Sequence, residues 1–119
     1  LMAEKSSLIQ YGGIGLARRM IPILNDVDRA LSQVEDDDES PVAQGLRLLR
    51  NKLWRELEAD GIKSIEAKGL EFNPATMEAI TTLPASEQFP AGQVIDVLEP
   101  GYMYKERVLR AARVVVATE

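Results

Sequence analysis

Few of the residue types that carry enzyme chemistry occur in this chain of 119 residues. It has no cysteine and no histidine, which excludes disulfide bonds, zinc–thiolate sites, cysteine nucleophiles and the most common general base. Carboxylates are plentiful, but neither Asp26 with Asp28 nor Glu66 with Glu71 has neighbours that indicate a buried sugar-binding or nucleophilic site. A small carboxylate-dependent enzyme is the weakest hypothesis, and we expect that the chain is not an enzyme.

Two short motifs resemble ligand-binding loops but lack the context that such loops need. Gly12-Gly13-Ile14-Gly15 has the glycines of a phosphate loop, without a preceding strand or a following Lys and hydroxyl residue. The acidic run at 35–39 lacks the alternating oxygen ligands and the central glycine of a calcium loop. We therefore expect a frayed or hinged helix entry at the glycines, a solvated turn at the acidic run, and neither a metal nor a cofactor.

The only local concentration of basic residues is Lys105, Arg107, Arg110 and Arg113. On a strand, Arg107 and Arg113 would point to one face and Arg110 to the other. Two roles fit this pattern equally well: protection of a sheet edge, or anchoring of an acidic protein partner by guanidinium groups. The net charge of −5 argues against nucleic acid as the main partner, because phosphate binding needs clustered positive charge.

Two amphipathic helices precede that basic segment. Over residues 14–35 apolar side chains recur at steps of three and four, with Pro22 inside the pattern. Ser40 and Pro41 are typical of the cap and first residue of a second helix, for which Gly61 is a suitable C-terminal cap. The acidic run between the two patterns is a short connection. The sequence therefore predicts an antiparallel helical hairpin.

The apolar edges of this hairpin are too long for one hairpin to cover. We expect it to be half of a four-helix bundle, completed by an identical chain in a homodimer. Trp54 is then a packing residue of the bundle or of its junction with the next part of the chain. The residues expected in the dimer seam are Met20, Leu24, Val27, Leu31, Leu46, Leu49 and Leu53.

After Gly61 the sequence changes to short segments separated by Gly, Pro and Asn. Ile62 and Ile65 indicate a short strand, and valine-rich runs predict further strands at Val94–Leu98 and Val108–Val116. The expected fold class is α+β, with a helical dimerisation region at residues 1–61 and a small, mostly β domain at residues 62–119. No apolar run approaches the roughly 20 residues that span a bilayer. We therefore expect no membrane contact and a reducing, cytoplasmic location.

Several segments of this sequence resemble, in their residues, order and spacing, the pattern of the GrpE family. The members of that family are the nucleotide exchange factors of DnaK-type heat-shock chaperones. The segments are Ile21–Leu31 with Pro22 inside it, Gly45 followed by the Leu46–Leu57 stripe, Phe72-Asn73-Pro74-x-x-Met77, Gly92-x-Val94-x-x-Val97-Leu98-x-x-Gly101-Tyr102, and Arg107-Val108-Leu109-Arg110-x-Ala112-x-Val114-x-Val116. Together they span about residues 16–118. The chain departs from the family pattern at its N-terminal glycines, at Met77, where the family usually has His, and at Lys105-Glu106, where it usually has Gly, Asn or Asp.

The resemblance implies a homodimer whose β domain binds the ATPase domain of a DnaK-type chaperone, opens its nucleotide cleft and promotes ADP release. It maps Phe72, Leu98, Arg107 and Val116 onto the surface that meets the chaperone. An alternative hypothesis is a dimeric structural adaptor that binds another protein without changing its nucleotide affinity. An exchange factor is distinguished from an adaptor by its effect on ADP release from the partner.

Overall fold

The computed structural model describes residues 2–119, which divide into a helical unit ending at Ile62 and a β unit, Lys63–Glu119. In chain order the elements are α1 (Met2–Tyr11), α2 (Ile14–Ser32), α3 (Pro41–Asp60), β1 (Ile62–Ser64), β2 (Met77–Pro84), β3 (Val94–Glu99), β4 (Tyr102–Tyr104), β5 (Arg107–Arg110) and β6 (Ala112–Thr118). The chain is therefore α+β, with helices first and a mostly β part second, as the sequence predicts.

The helices of the hairpin begin and end where local signals place them. α2 starts after a turn at Gly12 and Gly13, and the Gly13 carbonyl accepts a hydrogen bond from the amide of Ala17 at 3.0 Å. At the start of α3, Ser40 Oγ accepts from the amide of Ala43 at 3.3 Å. Gly61 closes α3 in the left-handed conformation, with φ of 114°. The predicted serine cap and glycine cap are both confirmed.

A small apolar seam and an ion pair hold the antiparallel hairpin together. The seam residues that are buried within the unit are Ala17, Ile21 and Leu24 on α2 and Ala43 and Leu57 on α3. Beside the seam, Nε of Arg50 lies 2.7 Å from Oδ1 of Asp28. The guanidinium of Arg50 also stands over the Trp54 ring, 5.7 Å from its centre. These contacts fix the register of α2 against α3.

The acidic turn between α2 and α3 is solvated, as expected, but it is also tied to α3. The guanidinium of Arg47 donates to the carbonyl oxygens of Asp38 at 2.6 Å, Glu35 at 2.9 Å and Asp36 at 3.4 Å. The amide of Ser40 donates to Oδ1 of Asp38 at 2.8 Å. The hydrogen bonds from Ser40, helped by the charge of Arg47, lower the pKa of Asp38 from its ordinary value of 3.8.

The β unit contains two three-stranded sheets, ordered β1-β4-β5 and β2-β6-β3. In the second sheet β6 is central, parallel to β2 on one side and antiparallel to β3 on the other. One face of that sheet packs into the core of the unit. The core residues are Ala67, Met77, Val94, Ala112, Val114 and Val116, with Ile65, Phe72 and Val97 packed partly buried against them.

The prediction of one continuous strand over Val108–Val116 is wrong. The chain leaves the strand conformation at Ala111, so β5 pairs in one sheet and β6 in the other. The amide of Ala112 bonds to the carbonyl of Thr76 at 3.0 Å, which starts the pairing with β2. Strict alternation fails as well, because Val115 and Ala117 are buried along with Val114 on the central strand.

Candidate partner-binding surfaces

Of the four side chains mapped onto a partner-binding surface, Arg107 and Leu98 lie on the outside of the β unit. Arg107 starts β5 and is exposed, and it pairs across the ladder with Tyr104 of β4. Leu98 on β3 leaves 55% of its surface exposed, between the partly buried residues Val97 and Glu99. Each side chain therefore has accessible surface that a protein partner can cover.

The other two mapped residues are placed differently. Phe72 is half-buried against the core, and its amide donates to the carbonyl of Gly92 at 2.9 Å. Val116 is only 9% exposed and sits between Thr82 and Val94 in the sheet. The core already occupies most of the Val116 side chain, so little of it is left for a partner to cover. Phe72 packs against the core, and part of its side chain stays accessible.

Arg110, the nearest alternative to Arg107, is engaged within the β unit. Its Nε and Nη2 atoms donate to the carbonyl of Pro100 at 3.0 and 2.7 Å, and its Nη1 lies 3.2 Å from Glu99. The guanidinium also stands 5.4 Å from the centre of the Tyr102 ring. These contacts hold the corner between β3 and β4, so the role of Arg110 is structural.

Arg113 joins the strands of the β2-β6-β3 sheet. Its Nη1 lies 3.5 Å from Glu99 on β3, and its Nε lies 4.0 Å from Glu78 on β2. Glu99 is thereby shared between Arg113 and Arg110. Arg110 and Arg113 therefore form ion pairs within the β unit, and an anchoring role for Arg107 stays a prediction.

Close packing at the corner between β3 and β4 explains why residue 101 is a glycine. A Cβ atom on Gly101 would lie 2.3 Å from the backbone nitrogen of Ala112 and 2.7 Å from its Cα. No side chain fits at that distance, because both neighbouring atoms belong to the backbone of β6. Gly101 therefore allows β3, β4 and the start of β6 to approach one another, and with them the segment that carries Leu98.

Several exposed apolar residues of the β unit were not anticipated from the sequence. They are Leu70, Ile80, Leu83 and Val108. Ile80 sits at a register shift between β2 and β6, and Val108 is on the outer strand of the β1-β4-β5 sheet. No local pattern marks them, because a valine or leucine of a short strand has the same sequence signature whether it faces the core or solvent.

The helical unit presents a second apolar surface along the hairpin. Leu16 and Ile23 on α2 and Val42 and Leu49 on α3 are exposed, and Leu49 leaves 57% of its surface accessible. Met20, Val27, Leu31, Leu46 and Leu53 are half-buried. Leu24, by contrast, has no exposed surface and packs in the core of the single hairpin.

A groove of about 460 Å³ runs between α2 and α3 on this surface. Leu16 and Met20 line it from α2 and Leu53 from α3, with Glu56 and Asp60 beside them. Apolar side chains of both helices therefore meet at this groove.

Neither a cluster of metal-binding side chains nor a membrane-spanning helix occurs among the described residues. Within residues 2–119, no three His, Cys, Asp or Glu side chains are grouped so that they could hold a metal ion. Over the same range, no helix is both long and apolar enough to cross a membrane.

The fold and these surfaces define a chain with a helical hairpin, a two-sheet β unit and accessible apolar and arginine side chains on both. The GrpE family model matches residues 1–118, so the chain belongs to the GrpE family. It is 39% identical over 115 residues to "Protein GrpE" of Fructilactobacillus sanfranciscensis, covering 96% of this chain and 64% of the relative. To the proteins of that name from Pediococcus pentosaceus and Parabacteroides distasonis it is 40% identical, covering 96% and 97% of this chain. The chain spans 59% and 60% of those two, or about three-fifths of the curated relatives it matches.

Proposed function

We propose that this chain is a homodimeric nucleotide exchange factor that binds the ATPase domain of a DnaK-type chaperone and promotes the release of ADP. Membership of the GrpE family over residues 1–118 is the observation that carries this proposal. The exposed Arg107 and Leu98 of the β unit supply side chains suited to the contact. In this account the chain makes and breaks no covalent bond, and it needs no cofactor.

The proposed homodimer follows from the apolar surface of the hairpin. Soluble monomers rarely expose contiguous apolar patches of more than a few hundred Å². Leu16, Met20 and Leu53 line one groove, and Leu49 is more than half exposed on the same hairpin. A second hairpin laid against this surface would complete a four-helix bundle and cover those side chains. Such an interface is formed by the same patch on both copies.

The proposed chaperone contact combines one charged and one apolar group. Arg107 offers a planar guanidinium that can bind a carboxylate through two hydrogen bonds. Leu98 offers apolar surface whose removal from water favours association. Arg110 and Arg113 support this surface from within by holding the corner beside Leu98. Phe72 would contribute mainly by keeping the loop before β2 packed on the core.

Nucleotide exchange then requires no chemistry from this chain, only differential binding. An exchange factor binds the open, nucleotide-free chaperone more tightly than the closed ADP form. By linkage, this effect is reciprocal. ADP must weaken the binding of the exchange factor to the same extent as the exchange factor weakens the binding of ADP. A ligand with equal affinity for the open and the closed form would not shift the equilibrium between them.

This linkage provides the test. The affinity of the chain for a DnaK-type ATPase domain should be measured by calorimetry without nucleotide and with saturating ADP. We expect ADP to weaken binding by at least about tenfold, which corresponds to about 1.4 kcal/mol of coupling. A structural adaptor would bind equally tightly in both conditions, and that result would overturn the proposal of an exchange factor.

A further inference from the structure

Leu98, an exposed side chain of the proposed chaperone contact, lies at an irregular point of β3. Val97 of β3 is opposite Val114 of β6, and Glu99 is opposite Arg113. Two steps along β3 thus correspond to one step along β6, which is the pattern of a β-bulge at Leu98. A bulge turns a side chain out of the regular alternation of its strand. The direction of Leu98 therefore depends on the groups that fix the residues on either side of it.

The carboxylate of Glu99 fixes one side of this bulge. Its Oε1 lies 3.2 Å from Nη1 of Arg110, and its Oε2 lies 3.5 Å from Nη1 of Arg113. Arg110 belongs to β5 and Arg113 to β6, so the two arginines come from different sheets. One carboxylate thus joins both sheets of the β unit directly beside Leu98.

The backbone around the bulge is held by further contacts. On the other side of Leu98, Val97 packs partly buried against the core. After Glu99, the carbonyl of Pro100 accepts hydrogen bonds from Nε and Nη2 of Arg110 at 3.0 and 2.7 Å. The chain is therefore fixed before and after Leu98, whereas the Leu98 side chain itself is 55% exposed.

Stabilisation of the fold alone is a weak explanation for this arrangement. The Glu99 side chain is 38% exposed, and ion pairs with that degree of exposure contribute little to folding stability. Holding a contact residue in one direction before binding has a larger effect on affinity, because less conformational entropy is lost when the complex forms.

We propose that Glu99 is a positioning residue, whose carboxylate, held by Arg110 and Arg113, fixes the bulge that directs Leu98 toward the protein partner. This inference rests on the proposed function, because the contact it serves is that of Leu98 with the chaperone ATPase domain. Glu99 acts through Leu98 and makes no contact of its own with the partner. Loss of its carboxylate should therefore weaken binding only while Leu98 is present.

A double-mutant cycle on the full chain tests this dependence. Glu99→Gln keeps the size of the side chain but leaves one acceptor oxygen, so it can serve only one of the two guanidinium groups. It is made alone and together with Leu98→Ala. Glu78→Gln is the control, because Glu78 also faces Arg113, at 4.0 Å, but lies on β2. Calorimetry measures binding to a nucleotide-free DnaK-type ATPase domain, and thermal unfolding establishes that each variant is folded at the temperature used.

We expect Leu98→Ala to weaken binding about five- to thirtyfold and Glu99→Gln about three- to tenfold. In the Leu98→Ala background, the Glu99 substitution should change the affinity by less than about twofold. Glu78→Gln should bind like wild type. If Glu99→Gln does not fold, Arg113→Gln, which loses the contact with Oε2 of Glu99, takes its place with the same expectations.

Any of three results would overturn the inference and leave the proposed nucleotide exchange standing. Wild-type affinity of Glu99→Gln would show that the carboxylate has no part in binding. An equal loss with and without Leu98 would show that Glu99 acts independently of it, and wild-type affinity of Leu98→Ala would remove the contact itself. A wild-type chain that does not bind the ATPase domain at all would overturn both the inference and the proposed function.

Discussion

Nε of Arg50 on α3 lies 2.7 Å from Oδ1 of Asp28 on α2, and its Nη2 lies 3.4 Å from Oδ2 of the same carboxylate. This pair is half-buried beside the seam of the hairpin, with 28% of the Arg50 side chain and 40% of the Asp28 side chain exposed. This ion pair joins the two helices, and the apolar stripes on either side of it depend on the register of α2 against α3.

Replacing Asp28 by Asn should lower the free energy of unfolding by about 0.5–1.5 kcal/mol, a range reduced for partial exposure of the pair. The reason is that Arg50 keeps its position but loses a charged acceptor. Urea unfolding monitored by far-UV circular dichroism measures the change. Asp26→Asn is the matched control, because Asp26 pairs with Arg29 on the exposed face of the same helix. Equal effects of the two substitutions would contradict a specific role for the Asp28–Arg50 pair.

Leu49→Asp should dissociate the proposed dimer. Burying a carboxylate in an apolar seam costs several kcal/mol, so the two hairpins would separate and much of the helix would lose its support. Leu48→Asp is the control, because Leu48 is also exposed but lies about 100° further round α3. Light scattering at tens of micromolar distinguishes the two variants. A wild-type chain that is monomeric at that concentration would contradict the dimer.

Gly101→Ala should destabilise the β unit severely, by about 3 kcal/mol or more, because its Cβ would overlap backbone atoms of Ala112. Gly92→Ala offers a graded comparison, since its φ of 92° is strained for alanine but the space around it is open. That variant should cost about 1–2 kcal/mol. Amide hydrogen exchange within the β unit, measured over a series of denaturant concentrations, gives the stability of each variant without relying on tryptophan fluorescence. Equal stability of both variants would refute the packing argument at Gly101.

The lowered pKa of Asp38 predicts a contribution to stability that depends on pH. Because the folded pKa is below the unfolded value, this contribution is present above the ordinary pKa of 3.8 and is lost as pH falls through the folded pKa. Asp38→Asn should therefore flatten the decline in stability between about pH 4.5 and pH 2.5. Melting temperatures across that range measure the effect, with Asp37→Asn as the charge-matched control. The same dependence of melting temperature on pH in both variants would contradict this role of Asp38.

The sequence predicted those features of the fold that depend on neighbouring residues. Ser40, Pro41 and Gly61 mark the ends of α3 through their own backbone and capping chemistry, so the hairpin could be predicted. The break between β5 and β6 could not, because it depends on the approach of Gly101 to Ala112 across the fold. β2 was missed because seven of its eight residues are exposed and show no alternation.

The candidate surfaces were predicted less completely for a related reason. Helical spacing identifies an apolar stripe but does not say which of its residues faces the adjacent helix of the same chain. Leu24 and Leu49 belong to equivalent patterns, yet one is fully buried and the other is 57% exposed. On β6, the central position of the strand buries Val116 from both sides. Pairing partners, which are distant in sequence, decide both outcomes.

Arg107→Ala should weaken binding to a DnaK-type ATPase domain by about 1.5–3 kcal/mol, or roughly ten- to a hundredfold, if Arg107 forms charge-assisted hydrogen bonds there. Because Arg107 is exposed at the start of β5, the substitution should leave the melting temperature and the dimer mass near those of wild type. Arg55→Ala on α3 removes the same charge and serves as the control. Full binding by Arg107→Ala would show that Arg107 is only a solvated strand residue.

Release of a fluorescent ADP analogue from a DnaK-type ATPase domain tests the central claim most directly. The analogue is loaded, excess unlabelled nucleotide is added, and the loss of fluorescence is timed over a titration of this chain. The account predicts a release rate that rises at least about tenfold and saturates, with Arg107→Ala needing roughly ten to a hundred times more protein to reach half of the rise. A release rate that stays at its intrinsic value throughout a titration in which the chain demonstrably binds would contradict the claim of nucleotide exchange.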